Sequence, residues 1–288
     1  MIRPFINFSV GLFLFLSGML SSANNWSPKK RIVKVAIPYI IWTMVYVILY
    51  NYKTPYAIPI IFLKNLITGK AAAVMYYIFI YCEFTLLIPV IDKLARSKYK
   101  YIGFLIAPVE IIFMRLIPIM VGYEFNGRVQ TIIEISCLGW FSYFYFGYLL
   151  GNNIIDIKFE NKKLCILWII AIILQIFEGY WYLSKGEANY GTQLKLSSIL
   201  TGMIFVAIVY NFLNSDKTYN LKGLKLLGDN SFGIYFSHLA IMYVISHISF
   251  YINYIYFPIN AIVVILISTC FVLIGKKILG KYARFIAF

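Results

Sequence analysis

The chain has 288 residues, 61% of them hydrophobic and only 13% charged, with a formal net charge of +15. Soluble domains carry roughly 25% charged residues, so this composition excludes an ordinary globular enzyme and requires a polytopic membrane protein. The positive surplus does not indicate a nucleic-acid partner, because the Lys and Arg residues lie in short loops between apolar spans and form no continuous surface.

A bilayer core takes about 20 apolar residues per helix. Spans of that kind are expected at 4–23, 35–50, 74–91, 101–121, 131–150, 164–183, 195–213, 231–251 and 258–275. With no internal repeat or low-complexity segment, the chain reads as all-α: one transmembrane helical bundle over 1–288 with about nine spans. In the first span Gly11, Gly18 and Ser22 are spaced seven and four apart and share a helix face. Small residues there let a neighbouring helix approach closely. Lys29, Lys30, Arg31 and Lys34 follow, where the second span leaves the membrane; taken alone they read as a topology anchor. The loop 51–73 carries Pro55, Pro59 and an apolar patch at Ile58–Leu63, and reads either as an interfacial segment or as a packed loop.

Ionisable groups inside spans are costly and mark a site or a paired structural contact. Glu83 lies nine residues into the third span and Glu110 nine residues into the fourth. Arg115 is five residues beyond Glu110, about 140° round the helix, in a span interrupted by Gly103, Pro108 and Pro118. Two readings stay open: Arg115 neutralises one of the glutamates, or these groups line a polar cavity that binds sugar hydroxyls. Asp229 or Asn230 is expected to cap the eighth span, and His238 lies about two turns into it; His247 is read as packing. Cys82, Cys137, Cys165 and Cys270 each fall inside a span, with no CxxC or Cys/His cluster, so neither a disulfide framework nor a metal site is implied. The 25 tyrosines are assigned mainly to interfacial belts.

Several stretches together carry a resemblance. Phe15-Leu16-Ser17-Gly18, Lys30-Arg31 with Lys34, and Pro38-Tyr39 with Trp42 follow one another. Tyr76-Tyr77-Ile78 then leads through Glu83 to Leu87-Ile88-Pro89, and Leu227-Gly228 precedes Ser231-Phe232-Gly233-Ile234-Tyr235 and His238. In this order the chain resembles the acyltransferase-3 family of integral-membrane O-acyltransferases. The resemblance implies transfer of an acetyl or other short acyl group from acyl-CoA, as co-substrate, to a hydroxyl of a cell-surface glycan or lipid-linked saccharide, as in polysaccharide O-acetylation. No bound cofactor is implied. Its motif supports His238 as a catalytic candidate; Glu83, where the family often has an amide and this chain departs from it, is the other candidate the sequence offers. Lys29, Lys30, Arg31 and Lys34 become candidate ligands for the donor's phosphates.

The family has ten spans, and the first motif here belongs to its second. A helix upstream of Met1, bearing the family's arginine and catalytic histidine, is therefore expected to pack on the Gly11–Gly18–Ser22 face. The 288-residue form alone is then expected to insert without transferring acyl groups. A saccharide transporter and a catalytically inactive remnant are the competing readings.

Loop charge sets the expected orientation. Alternate crossing places 18 of the 26 Lys and Arg residues in the loops 22–34, 92–100, 151–163, 214–230 and 276–288, and seven in the others, with Arg115 inside a span. The positive-inside rule puts the richer set and the C-terminus in the cytoplasm of a multi-pass cell-membrane protein. In intact cells, a single cysteine at Ser184 of a Cys-free variant should label with an impermeant thiol reagent, and one at Ser97 should not. The opposite pattern would invert the orientation.

Overall fold

The computed structural model describes residues 9–157, 160–186, 191–214, 222–248 and 258–288. Residues 4–8 of the expected first span and 249–251 of the eighth, with Arg3, Lys158 and Lys217, lie outside the described residues. All described regular structure is helical. Five helices are long and apolar enough to cross a membrane: Pro28–Asn51, Lys100–Val121, Asn161–Ser184, Leu196–Leu213 and Ile259–Ile286. Shorter apolar helices include Ser9–Met19 and Ser231–Ser246. The chain forms two compact units, one of residues 1–27 and 80–217, the other of 28–79 and 218–288.

The first unit is built on α1 (Ser9–Met19), most of α4 (Tyr76–Ala95), α5 (Lys100–Val121), α6 (Gly127–Ile135), α7 (Phe141–Gly151), α8 (Asn161–Ser184) and α9 (Leu196–Leu213). Helices α1 and α7 touch backbone to backbone. A Cβ on Gly18 would overlap the Phe144 carbonyl, one on Gly147 the Phe15 carbonyl, and one on Gly151 the Met19 carbonyl. Gly147 and Gly151 are four apart on α7, the small-xxx-small spacing that lets membrane helices approach closely. Gly11 abuts the Tyr143 ring. The glycine face expected to receive an upstream helix is therefore already filled by α7.

The expected span 131–150 is not one helix. Asn126 caps α6 through Oδ1, accepting from the amides of Arg128 and Val129 at 3.2 and 3.0 Å. The chain is extended at Ser136, then restarts through a short 3₁₀ turn at Leu138–Trp140 into α7. Cys137 sits in this break, outside any helix.

Helix α5 changes pitch along its length: 3₁₀ at Lys100–Leu105, α at Ile106–Ile111, π at Ile112–Leu116, then α at Ile117–Val121. Proline 108 has no N–H to offer the Phe104 carbonyl four residues earlier, and Ser142 Oγ donates to that oxygen at 3.0 Å. Pro89 likewise vacates the Thr85 carbonyl, which takes a 2.8 Å bond from Trp26 Nε1. Helices α8 and α9 run antiparallel, with Gln175 Nε2 donating to Ser198 Oγ at 2.9 Å and Trp168 against Phe205.

The second unit contains α2 (Pro28–Asn51), α3 (Ile58–Thr68), α10 (Lys222–Asp229), α11 (Ser231–Ser246) and α12 (Ile259–Leu279). The 51–73 loop thus holds a helix, α3, with Pro59 in its first turn and Gly69 in the left-handed conformation at its end (φ 67°). Tyr39 Oη donates to the carbonyl of Leu66 in its last turn at 2.8 Å. The expected loop 214–230 likewise contains a helix, α10.

Helices α2 and α11 run parallel: Trp42 stacks on Phe236, Tyr46 meets Phe236 and Ala240, and Tyr50 meets Tyr243. Helix α12 is antiparallel to α11, with Val272 against Gly233 and Lys276 Nζ 2.7 Å from Asn230 Oδ1. Asn230 occupies the cap position of α11 without a capping side-chain bond, because its carboxamide oxygen serves Lys276.

The α1–α7 contact predicts an asymmetric glycine series. Gly147→Ala should destabilise by at least about 1–3 kcal/mol, since neither backbone has room to move. Gly223→Ala, with nothing within 4 Å of the added Cβ, should be neutral or slightly stabilising. Thermal unfolding of the detergent-purified protein measures both, and equal midpoints would refute the close approach.

Candidate functional site

The parallel course of α2 and α11 gathers the candidates of the second unit at one end. Lys29, Lys30 and Lys34 are exposed and Arg31 half-buried in the opening turns of α2. No acid occupies that first turn. Cations at a helix N-terminus oppose the macrodipole by typically 0.3–1 kcal/mol each, so a bound anion would relieve both the repulsion and the orphan amides. Lys276 and Lys277 lie in the last turn of α12, which ends beside the start of α11.

His238 lies about 12 Å along α11 from Asn230 at 1.5 Å per residue. It is half-buried. Its Nδ1 sits 3.0 Å from the Ile234 carbonyl and 2.8 Å from that of Tyr235. Both neighbours are acceptors only, so Nδ1 carries the proton, and in the neutral ring Nε2 presents a lone pair. The turn that carries His238 is held from α2. Tyr46 Oη donates to the Phe236 carbonyl at 2.7 Å and accepts from the Ala240 amide at 3.2 Å, bridging the two groups of one helical i,i+4 pair. Beneath it, Tyr235 Oη donates to the Val74 carbonyl.

The intramembrane acids of the first unit have different surroundings. Glu83 Oε2 accepts from the Cys137 amide at 2.7 Å, the point where helix resumes after the break. A carboxylate there meets unpaired amides at the positive end of a helix. Glu178 plays the same part for α9, accepting from the amides of Leu196 and Ser197 at 3.2 and 2.9 Å and from the Ser197 hydroxyl. Sequence reasoning passed over Glu178, though an acid inside the sixth expected span was the available signal.

Glu110 is 9% exposed, and its Oε2 lies in the same break as Glu83's partner: a Cβ on Gly139 would come within 2.8 Å of it. That oxygen has no hydrogen-bond partner among the described residues. Arg115 forms no direct ion pair with either glutamate, though its charge acts on Glu110 at longer range, while Arg96 pairs with Asp92 at 2.9 Å. Arg115 instead opens on a cavity of about 300 Å³. Among the described residues no His, Cys, Asp and Glu cluster is arranged to hold a metal ion, and all four cysteines are free.

These features define a helical membrane protein whose broken, proline-bearing helices are held by polar side chains and whose cations collect at helix ends. Compared with known families, residues 2–276 match the acyltransferase-3 family, described as an acyltransferase domain, and the chain belongs to that family. No curated protein and no solved structure matches it.

The Glu83 contact separates capping from catalysis. Glu83→Gln keeps an acceptor for the Cys137 amide and should leave stability and acyl transfer nearly intact. Glu83→Ala should cost about 1.5–3 kcal/mol of stability, the worth of a hydrogen bond to a charged group. A loss of transfer in the Gln variant with unchanged unfolding midpoint would instead make Glu83 catalytic.

Proposed function

We propose that the protein is a membrane O-acyltransferase that moves an acetyl or other short acyl group from cytoplasmic acyl-CoA to a hydroxyl of a cell-surface glycan or its lipid-linked precursor. Membership of the acyltransferase family supports acyl transfer. The observation that supports the assignment of parts is the parallel α2–α11 pair, which sets Lys29, Lys30, Arg31 and Lys34 at the same end as the first turns leading to His238.

In this reading the exposed lysines and Arg31 hold the phosphates of the donor, Arg as a fork and Lys as point charges. His238 Nε2 takes the proton of the acceptor hydroxyl as its oxygen attacks the thioester carbonyl. The tetrahedral intermediate then collapses, the C–S bond breaks, and the coenzyme A thiolate leaves and takes up a proton. Tyr46 positions His238 by fixing the turn that carries it. Of the two histidines of the chain, His238 is the base proposed.

Two variants test the division of labour. Lys30→Gln with Arg31→Gln should weaken acyl-CoA binding, each lost charge-assisted contact costing about 1.5–3 kcal/mol, while insertion is unchanged. His238→Gln should lower transfer by about 10²–10⁴-fold with donor binding unaltered. Undiminished donor affinity in the first variant would return the cluster to a topology anchor. Undiminished transfer in the second would place the base elsewhere.

A further inference from the structure

We infer that the cavity at the Val121 end of α5 is a binding site for an acidic saccharide unit, with Arg115 as the anion's partner. The inference rests on the proposed acyl transfer to a saccharide and adds the chemical class of the acceptor.

The cavity is lined by Arg115, Tyr123, Glu124, Gln130, Tyr182 and Thr192, together with apolar groups of α5, and lies wholly within the first unit. Its volume, about 300 Å³, is at the lower end for small-molecule sites, which suits one ring rather than a long chain. Arg115 projects from the π-helical segment Ile112–Leu116. Such widened turns recur at functional sites, where they re-aim a side chain. Pro118, one turn on, lines the same cavity and is itself buried.

The arginine is the informative group. Its Nε is buried with no hydrogen-bond partner, and its charge reaches Glu110 only at longer range, without a direct ion pair. A guanidinium carries five N–H donors and cannot shed its charge. Within a membrane span, leaving even one such donor unmatched is expensive, and it is kept where a counter-ion or substrate meets it. The walls supply what the rest of a sugar needs. Gln130 and Thr192 offer amide and hydroxyl groups, and Tyr123 and Tyr182 offer aromatic surface. Lys195, only 2% exposed, reaches the Tyr182 ring from the neighbouring turn, its Nζ 5.9 Å from the centroid, and adds positive potential. Glu124 is exposed and opposes an anion, which makes it a selectivity control rather than a ligand. The anion's source is a carboxylate, as in a uronic acid, or a phosphate, as in a sugar phosphate; both match a forked guanidinium.

The test is equilibrium binding of glucuronate, glucose 1-phosphate and glucose to the purified full-length chain in nanodiscs, read by ligand-observed NMR. One or both anionic probes should bind at least about tenfold more tightly than glucose, and the tighter of the two identifies the anion. Arg115→Gln should abolish that preference, a loss of about 10–100-fold for the anionic probe, and Glu124→Gln should increase it. Arg115→Lys, which keeps the charge but not the fork, should retain only part of the preference, and it decides the matter if the Gln variant does not fold. Equal binding of all three probes, or an unchanged preference in the Arg115 variants, overturns the assignment. Acyl-CoA consumption is measured on the same samples. Arg115-dependent anion binding without consumption sustains the cavity and removes acyl transfer; consumption without anion preference does the reverse.

Discussion

In hydrocarbon a backbone carbonyl that loses its helical partner has no water to turn to, and this constraint governs the whole bundle. Several of the described helix breaks and prolines are met by a side chain from elsewhere in the same unit. Trp26 answers Pro89, Ser142 answers Pro108, Tyr39 serves the end of α3, and Tyr143 and Tyr145 donate to the carbonyls of Ser198 and Lys100. Glu83 and Glu178 perform the mirror task for amides. Tyrosine suits this work: its rigid ring is buried as apolar mass while one hydroxyl reaches a backbone group. The abundance of tyrosine thus has an interior use that the interfacial-belt reading leaves out.

The glycine contact between α1 and α7 is what brings α7 close enough to distribute those bonds. From that one helix Tyr143 reaches α9, Tyr145 reaches the start of α5, and Tyr148 reaches Asp92 at 2.7 Å. Phe144 stacks on Phe84 with centroids 4.3 Å apart. A helix of only 11 residues therefore ties together most of its unit.

The helical class and the positions of most spans were legible because apolar run length reports directly on bilayer burial. The motifs around Trp42 and His238 were legible in order. Their pairing was not, since Trp42 and Phe236 are far apart in the chain and meet only through tertiary packing. The break at Ser136 was hidden because Ile132, Ile133, Leu138, Trp140 and Phe141 continue the apolar run across it. Hydropathy measures transfer of side chains and is silent on which carboxylate will cap an amide, so Glu83 stood out as chemistry and Glu178 escaped notice. The role of the Gly11–Gly18 face was read correctly as a seat for a helix, but spacing on one helix cannot name its occupant. Arg115 was flagged by its place inside a broken span, but Gln130, Tyr182 and Thr192, which complete the cavity from elsewhere in the chain, carried no signal.

The Tyr46 hydroxyl has a mechanical consequence. Because it bridges the Phe236 carbonyl and the Ala240 amide, one turn of α11 is spliced to α2, and the stacked Trp42–Phe236 and edge-on Tyr50–Tyr243 pairs fix the register on either side. Sliding of one helix along the other would break a bond that lipid cannot replace. The two helices are therefore held in one register as a single strut, with the Tyr46 ring as the rivet.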